Sequence, residues 1–203
     1  MIVSPSIASS NLLYLKDEID YVNEHFKEMH IDIEDGNAVN SISFGFKLAK
    51  KIIAESKVDI TMHLEVIDPL KFVNDIKECD AKVVFIQIDC LSDPIPILEK
   101  LKSEGIPIGI NVSNLDMERP DLEEILGWSD YILVNTTHHD DRDQICDMEM
   151  VDYAIKLSEY KNVWVDGGIN EDIYSQISNT KIYAAVMGRA IFNNKETAMT
   201  KYE

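Results

Sequence analysis

The chain has 203 residues, 45% of them hydrophobic and 28% charged, a balance that suits one ordinary globular domain with a sizeable core. Its 37 acidic residues outweigh 19 basic ones, and the formal net charge of −18 argues against nucleic acid or an anionic membrane surface as partner, because both demand a basic face. The opening "MIVSPSIASS" carries no basic region ahead of a long apolar run, and no apolar stretch approaches the roughly 18 residues of a membrane span, so a cytoplasmic protein acting on a small molecule is expected.

In chain order, a β-branched run at Ile2–Ile7 predicts a first strand, followed by the helical pattern "LLYLKDEIDYVNEHF". Next comes "MHIDIEDG", whose alternation predicts a strand over Met29–Ile33. Side chains two apart share a face, so His30, Asp32 and Glu34 point one way while Ile31 and Ile33 point the other. Further strands are expected at Asp59–Leu64, Lys82–Ile88, Pro107–Asn111, Tyr131–Asn135, Asn162–Asp166 and Ile182–Met187. Between them lie "FGFKLAKKIIAES", "DPLKFVNDIKE", "DPIPILEKLKSEG", "RPDLEEILG", "DMEMVDYAIKLSEY" and "NEDIYSQISN", several opening at Asp-Pro or Asn as helices do.

Eight strands alternating with helices, with no low-complexity linker, predict a parallel α/β protein. A doubly wound open sheet would show a glycine-rich turn after its first strand, and "SPSIASSN" has none. A single (β/α)₈ TIM barrel over residues 1–203 is therefore expected, with its functional groups at the carboxyl ends of the strands. His30 and Asp32 belong to such an end, as do His63 in "ITMHLEV" and Asp166 in "VWVDGG". Two imidazoles and two carboxylates converging on one mouth suit a divalent ion of the Zn, Fe, Mn or Co type better than Ca or Mg. Cys79, Cys90 and Cys146 are odd in number and outside any CxxC spacing, which predicts reduced structural thiols. Trp128 and Trp164 are read as packing residues, with a stacking role for Trp164 as the alternative.

The pieces "SPSI", "HIDIEDG", "MHL", "VDGGI" and "MGRAIF" make the sequence resemble the ribulose-phosphate 3-epimerase family over nearly the whole chain. The resemblance implies a ribulose-phosphate-binding barrel that holds one divalent metal through His30, Asp32, His63 and Asp166. It also implies Asp32 and Asp166 as the acid/base pair, Ser6 near the substrate, and a homo-oligomer. Two carboxylates are what C3 epimerisation of a ketose phosphate needs, since a proton must leave one face of the carbon and return to the other through an enediolate. Ribulose 5-phosphate is the default substrate.

The chain departs from the family in two places. The glycine loop of the type "NPGFGGQ" after the sixth strand aligns with "HHDDRDQ", His138 to Gln144, where three aspartates would repel a phosphate dianion and Arg142 would offset part of that. His138 and His139 there are read as a solvated loop rather than a second metal site. Methionines around the reacting carbon align with Glu34, Glu65 and Asn135, so these are candidate substrate contacts. Glu34 can be read as an extra ligand, a partner for a sugar hydroxyl or a solvated rim residue. Phosphate binding is then expected at Gly167, Gly168, Gly188 and Arg189, unless Arg189 is a surface ion-pair residue. The alternatives keep the barrel and metal but act on a different, unphosphorylated ketose or by retro-aldol chemistry, or make the chain a catalytically silent sugar-phosphate-binding relative.

Overall fold

The computed structural model describes residues 1–137 and 145–202. Eight parallel strands, β1 (Ile2–Pro5), β2 (Glu28–Glu34), β3 (Asp59–Glu65), β4 (Val83–Gln87), β5 (Ile108–Val112), β6 (Tyr131–Asn135), β7 (Asn162–Asp166) and β8 (Ala184–Met187), hydrogen-bond in the order β1-β8-β7-β6-β5-β4-β3-β2. A single parallel bridge between Ser6 and His30 joins the two ends, so the sheet is a nearly closed barrel. Helices alternate with the strands: α1 (Leu15–His25), α2 (Phe46–Glu55), α3 (Val73–Cys79), α4 (Pro94–Ser103), α5 (Leu122–Leu126), α6 (Met148–Leu157) and α7 (Glu171–Ile177). Two more, α8 (Arg189–Phe192) and α9 (Lys195–Tyr202), follow β8 and were not expected as helices from the sequence. No described helix is long and apolar enough to cross a membrane.

The helices form for the reasons their sequences give. In α2, Phe46, Ala49 and Ile52 recur at helical spacing and are buried, while Lys47 and Lys51 are exposed. Pro94 occupies the first turn of α4, where a missing N–H costs nothing, and the side chains of Asp147 and Asn170 cap α6 and α7 by accepting from Glu149 and Ile173. Strand boundaries shift where local chemistry intervenes. The expected Ile2–Ile7 strand stops at Pro5, because the chain turns at Ser6 into a 3-10 turn closed by Ser9 N–H to Ser6 O. The expected Pro107–Asn111 strand begins at Ile108, since Pro107 has no N–H to donate and offers only its carbonyl, to Val84 N–H.

The two faces of each strand go to different places. Met29, Ile31 and Ile33 of β2 face outward and are buried in the large core shared with the helices, each such side chain worth about 1.5–3 kcal/mol. The inner face builds a separate cluster of Val83, Phe85, Leu133, Trp164, Ala184 and Val186 that plugs the barrel. Below it, Trp164 Nε1 donates to the buried Glu28 carboxylate at 2.8 Å, and Lys82 pairs with Glu28 and donates to Tyr183 Oη. Trp164 is thus a packing residue of the barrel floor. The acidic inner face of β2 is not a half-solvated edge either: all of Glu28 to Ile33 is buried, and Glu34 half-buried.

Candidate active site

The inner face of β2 rises from the floor to the mouth, bringing His30 and then Asp32 to the carboxyl rim, and register places Asp32 directly beside His63 of β3. Asp166, the last residue of β7, arrives from the other side of β1 and β8. Ligand atoms of His30, Asp32, His63 and Asp166 all lie within 4.8 Å of one another. His30 Nε2 stands 3.2 Å and His63 Nδ1 3.8 Å from the same oxygen of Asp32, whose other oxygen accepts from Ser6 Oγ at 2.7 Å. Nε2 of His30 and both ring nitrogens of His63 are buried without a hydrogen-bond partner. One nitrogen of each ring, His30 Nε2 and His63 Nδ1, faces the carboxyl group of the buried Asp32 with the half-buried Asp166 beside it, a donor set that fits a divalent cation.

The electrostatics separates the two aspartates. Burial works to raise Asp32, but the close charge of His30, then that of His63 and the hydrogen bond from Ser6, outweigh it and hold this carboxyl below its usual range. For Asp166, burial and then the charge of Asp32 both push upward, well above the ordinary carboxylate range. Burial drives His63 down to about 4, whereas for His30 the neighbouring Asp32 overcomes burial and raises it.

Around this centre opens a cavity of about 1090 Å³, and all of the other sequence candidates line it: Ser6, Glu34, Glu65, Asn135, Gly167, Gly168, Gly188 and Arg189. Glu34 and Glu65 are register partners at the ends of β2 and β3. Glu65 reaches His63 Nδ1 at 3.4 Å, and burial followed by the charges of Asp32 and Glu34 raises its carboxyl well above normal. Glu34 is raised by burial too, against a hydrogen bond with Ser41. Asn135 is less free than its alignment suggests, because its side-chain oxygen accepts from Thr137 N–H and Oγ, both at 3.0 Å. It is therefore a turn former that offers the mouth only its amide NH₂.

Opposite the acids, Gly167 takes φ +108, and a Cβ there would lie 2.8 Å from the Thr137 side chain. Gly188 backs onto Ser9, and Arg189 opens α8 at the exposed rim of the cavity. The loop His138 to Gln144, where the sequence departs from the family most, lies outside the described residues. Several groups around the cluster escaped the sequence reading. Thr61 meets His30 Nδ1 at 2.7 Å, and Gln87 of β4 donates to Asp89 at 2.9 Å. A signal was present for Gln87: in "VVFIQ" it follows Val83 and Phe85 on the inner face, and a polar residue at that period faces the rim.

A model of the ribulose-phosphate 3 epimerase family matches residues 2–192. Proteins named ribulose-phosphate 3-epimerase from Mycobacterium tuberculosis and Helicobacter pylori are 23% and 24% identical to the chain, cover 97% of it, and are themselves covered to 88% and 93%. A Synechocystis protein of the same name is 26% identical over 95% of the chain and 88% of its own length. Among solved structures, a phosphoribosyl anthranilate isomerase from Thermococcus kodakaraensis aligns with a TM-score of 0.68 at 14% identity, covering 100% of this chain and 99% of its own. A tryptophan synthase α-subunit mutant from Pyrococcus furiosus gives 0.67 at 13% identity, covering 95% and 88%. These likenesses establish the TIM-barrel fold.

Proposed function

Because the chain belongs to the ribulose-phosphate 3-epimerase family, an isomerase family acting on carbohydrates, we propose that it epimerises a ketose phosphate at C3, with ribulose 5-phosphate as the first substrate to test. The observation that carries this reading is the meeting of Asp32 and Asp166 with His30 and His63 at one end of the barrel. His30, Asp32, His63 and Asp166 would hold the divalent ion. Bound there, it would supply a Lewis acid that lowers the cost of negative charge on the ketone oxygen.

The residues divide the remaining work. Asp32 and Asp166 come from β2 and β7, on different sides of the mouth, so a ketose seated between them presents its two faces to two carboxyl groups. Their opposite electrostatic bias suits a start with one ionised and one protonated. The ionised carboxylate takes the C3 proton, the other returns a proton to the opposite face, and the roles exchange in the reverse direction. Ser6 fixes the free oxygen of Asp32 through its 2.7 Å hydrogen bond. The phosphate falls to Arg189 and to backbone N–H groups around Gly167, Gly168 and Gly188.

The test is solvent-deuterium incorporation into ribulose 5-phosphate followed by NMR, on protein assayed for metal content. Deuterium should enter at C3 and be lost, by at least about 100-fold in rate, in Asp32→Asn and Asp166→Asn. Absence of exchange with every pentulose and hexulose phosphate would sink the proposal. A second reading, an unphosphorylated ketose or retro-aldol chemistry, is favoured by one observation: Glu34 and Glu65 both line the cavity, and Arg189 is the one guanidinium or ammonium among its described lining residues. Comparing each sugar with and without phosphate separates the two.

A further inference from the structure

The two imidazoles approach Asp32 through opposite ring nitrogens, His30 through Nε2 and His63 through Nδ1. On the far side of the first ring, His30 Nδ1 meets Thr61 Oγ1 at 2.7 Å. On the far side of the second, His63 Nε2 is buried with no hydrogen-bond partner, and so is the side-chain oxygen of Gln87, itself 2% exposed. Phe85 is the register partner of His63, and Gln87 stands two residues beyond it on the same inward face. Burial lowers the His63 ring, and the Gln87 amide is among the groups that oppose it.

The direction of that amide is fixed from behind. Gln87 Nε2 donates to one oxygen of Asp89 at 2.9 Å, and the other oxygen of Asp89 accepts from Ser113 Oγ at 2.8 Å. A carboxylate that only accepts can engage the amide only through its NH₂, which leaves the amide oxygen for the ring. We propose that Asp89 and Gln87 are positioning residues that hold His63 protonated at Nε2, with the Nδ1 lone pair turned into the cluster. The use of that lone pair rests on the divalent-ion reading given above; the tautomer does not. A ligand imidazole fixed through its other nitrogen is more basic and better aimed, and loss of such a partner costs about 10–100-fold in metal affinity.

The experiment compares the wild type with Asp89→Asn and with the double variant Gln87→Glu/Asp89→Asn. In Asp89→Asn the new amide can donate to the oxygen of Gln87, turning the Gln87 NH₂ toward His63 and demanding the opposite tautomer. In the double variant, the carboxylate introduced at position 87 takes the NH₂ of the amide introduced at position 89 on one oxygen and the His63 Nε2–H on the other, so the original tautomer returns. Nitrogen-15 NMR of the imidazoles in metal-free protein reads the tautomer, and chelator competition reads the affinity for Zn²⁺. We expect Nε2–H in the wild type, Nδ1–H in Asp89→Asn and Nε2–H again in the double variant, with Zn²⁺ affinity falling about 10–100-fold and then recovering. A wild-type ring protonated at Nδ1, or an Asp89→Asn ring that keeps the wild-type tautomer, overturns the assignment. Unchanged Zn²⁺ affinity despite a switched tautomer overturns the positioning role. A wild type with the expected tautomer and no Zn²⁺ binding refutes the metal reading and leaves the tautomer assignment standing. Should Asp89→Asn not fold, Gln87→Met removes the same acceptor and should lose the Nε2–H preference.

Discussion

At the scale of single residues, the site combines groups with distinct duties, and each duty has its own kinetic signature. Arg189 is an exposed residue of the cavity rim, whereas Asp32 is buried, and a phosphate contact is uniform binding, so Arg189→Ala should raise KM for a ketose phosphate about tenfold or more while changing kcat little. Initial-rate kinetics on matched phosphorylated and free sugars would check this. Asp116 offers a pH readout outside the site. Burial raises its carboxyl from the ordinary 3.8 to about 6, against hydrogen bonds from Ser113. The folded state therefore takes up this proton more readily than the unfolded chain. Its contribution is complete below pH 3.8 and is lost as pH rises through about 6, a span worth roughly 2–3 kcal/mol. Asp116→Asn keeps an acceptor for Ser113 N–H, and denaturant midpoints between pH 4.5 and 7.5 should fall less with pH in the variant than in the wild type. His30, Asp32, His63 and Asp166 were legible because each belongs to a recognisable motif on the inward face of its strand, Asp166 at the very end of β7. Thr61 and Asp89 were not, because what singles them out is a side-chain contact, to His30 on the neighbouring strand and to Gln87, and Gln87 itself left no more signal than a polar residue at an inward-facing position.

At the scale of elements, β6 and β7 match their predicted limits, and the other strands shift by one or two residues at most at either end. Those shifts follow from hydrogen bonding at the termini, which periodicity does not encode. The closing helix α9 was missed altogether, since its anchors are distant. Lys195 pairs with Glu18 of α1 at 2.5 Å, and lies over the Tyr21 ring. Glu18 is 6% exposed, so Lys195→Met should strand a buried carboxylate and cost about 1–2 kcal/mol, discounted because the Lys195 side chain is about a third exposed. Urea unfolding would measure it, and Glu18→Gln in the same background should recover most of the loss.

At the scale of the whole molecule, the closed barrel was readable from the alternation of eight strands with helices, because a parallel sheet with no glycine-rich turn has few ways to cover both faces. What the sequence could not display is how much of the inside is polar from floor to rim, from Glu28 and Lys82 up to Glu65. A cation that binds the folded cluster and not the unfolded chain adds about 2.7 kcal/mol at 100 times its Kd, which for a chain of this size raises Tm by about 5–10 °C. Zn²⁺ titration in a thermal melt should show that rise, and His30→Ala should abolish it.

The lone Ser6–His30 bridge gives the cylinder a seam, and the seam runs through the reaction centre. Ser6 also grips Asp32, and His30 belongs to the cluster, so any fluctuation that parts β1 from β2 scatters the chemistry before it disturbs the outer core. An occupant of the centre acts as a rivet. Amide exchange at the start of β2 should slow when the centre is filled and stay unchanged on the far wall, making the protein a cylinder whose weakest joint is fastened by the very thing it works on.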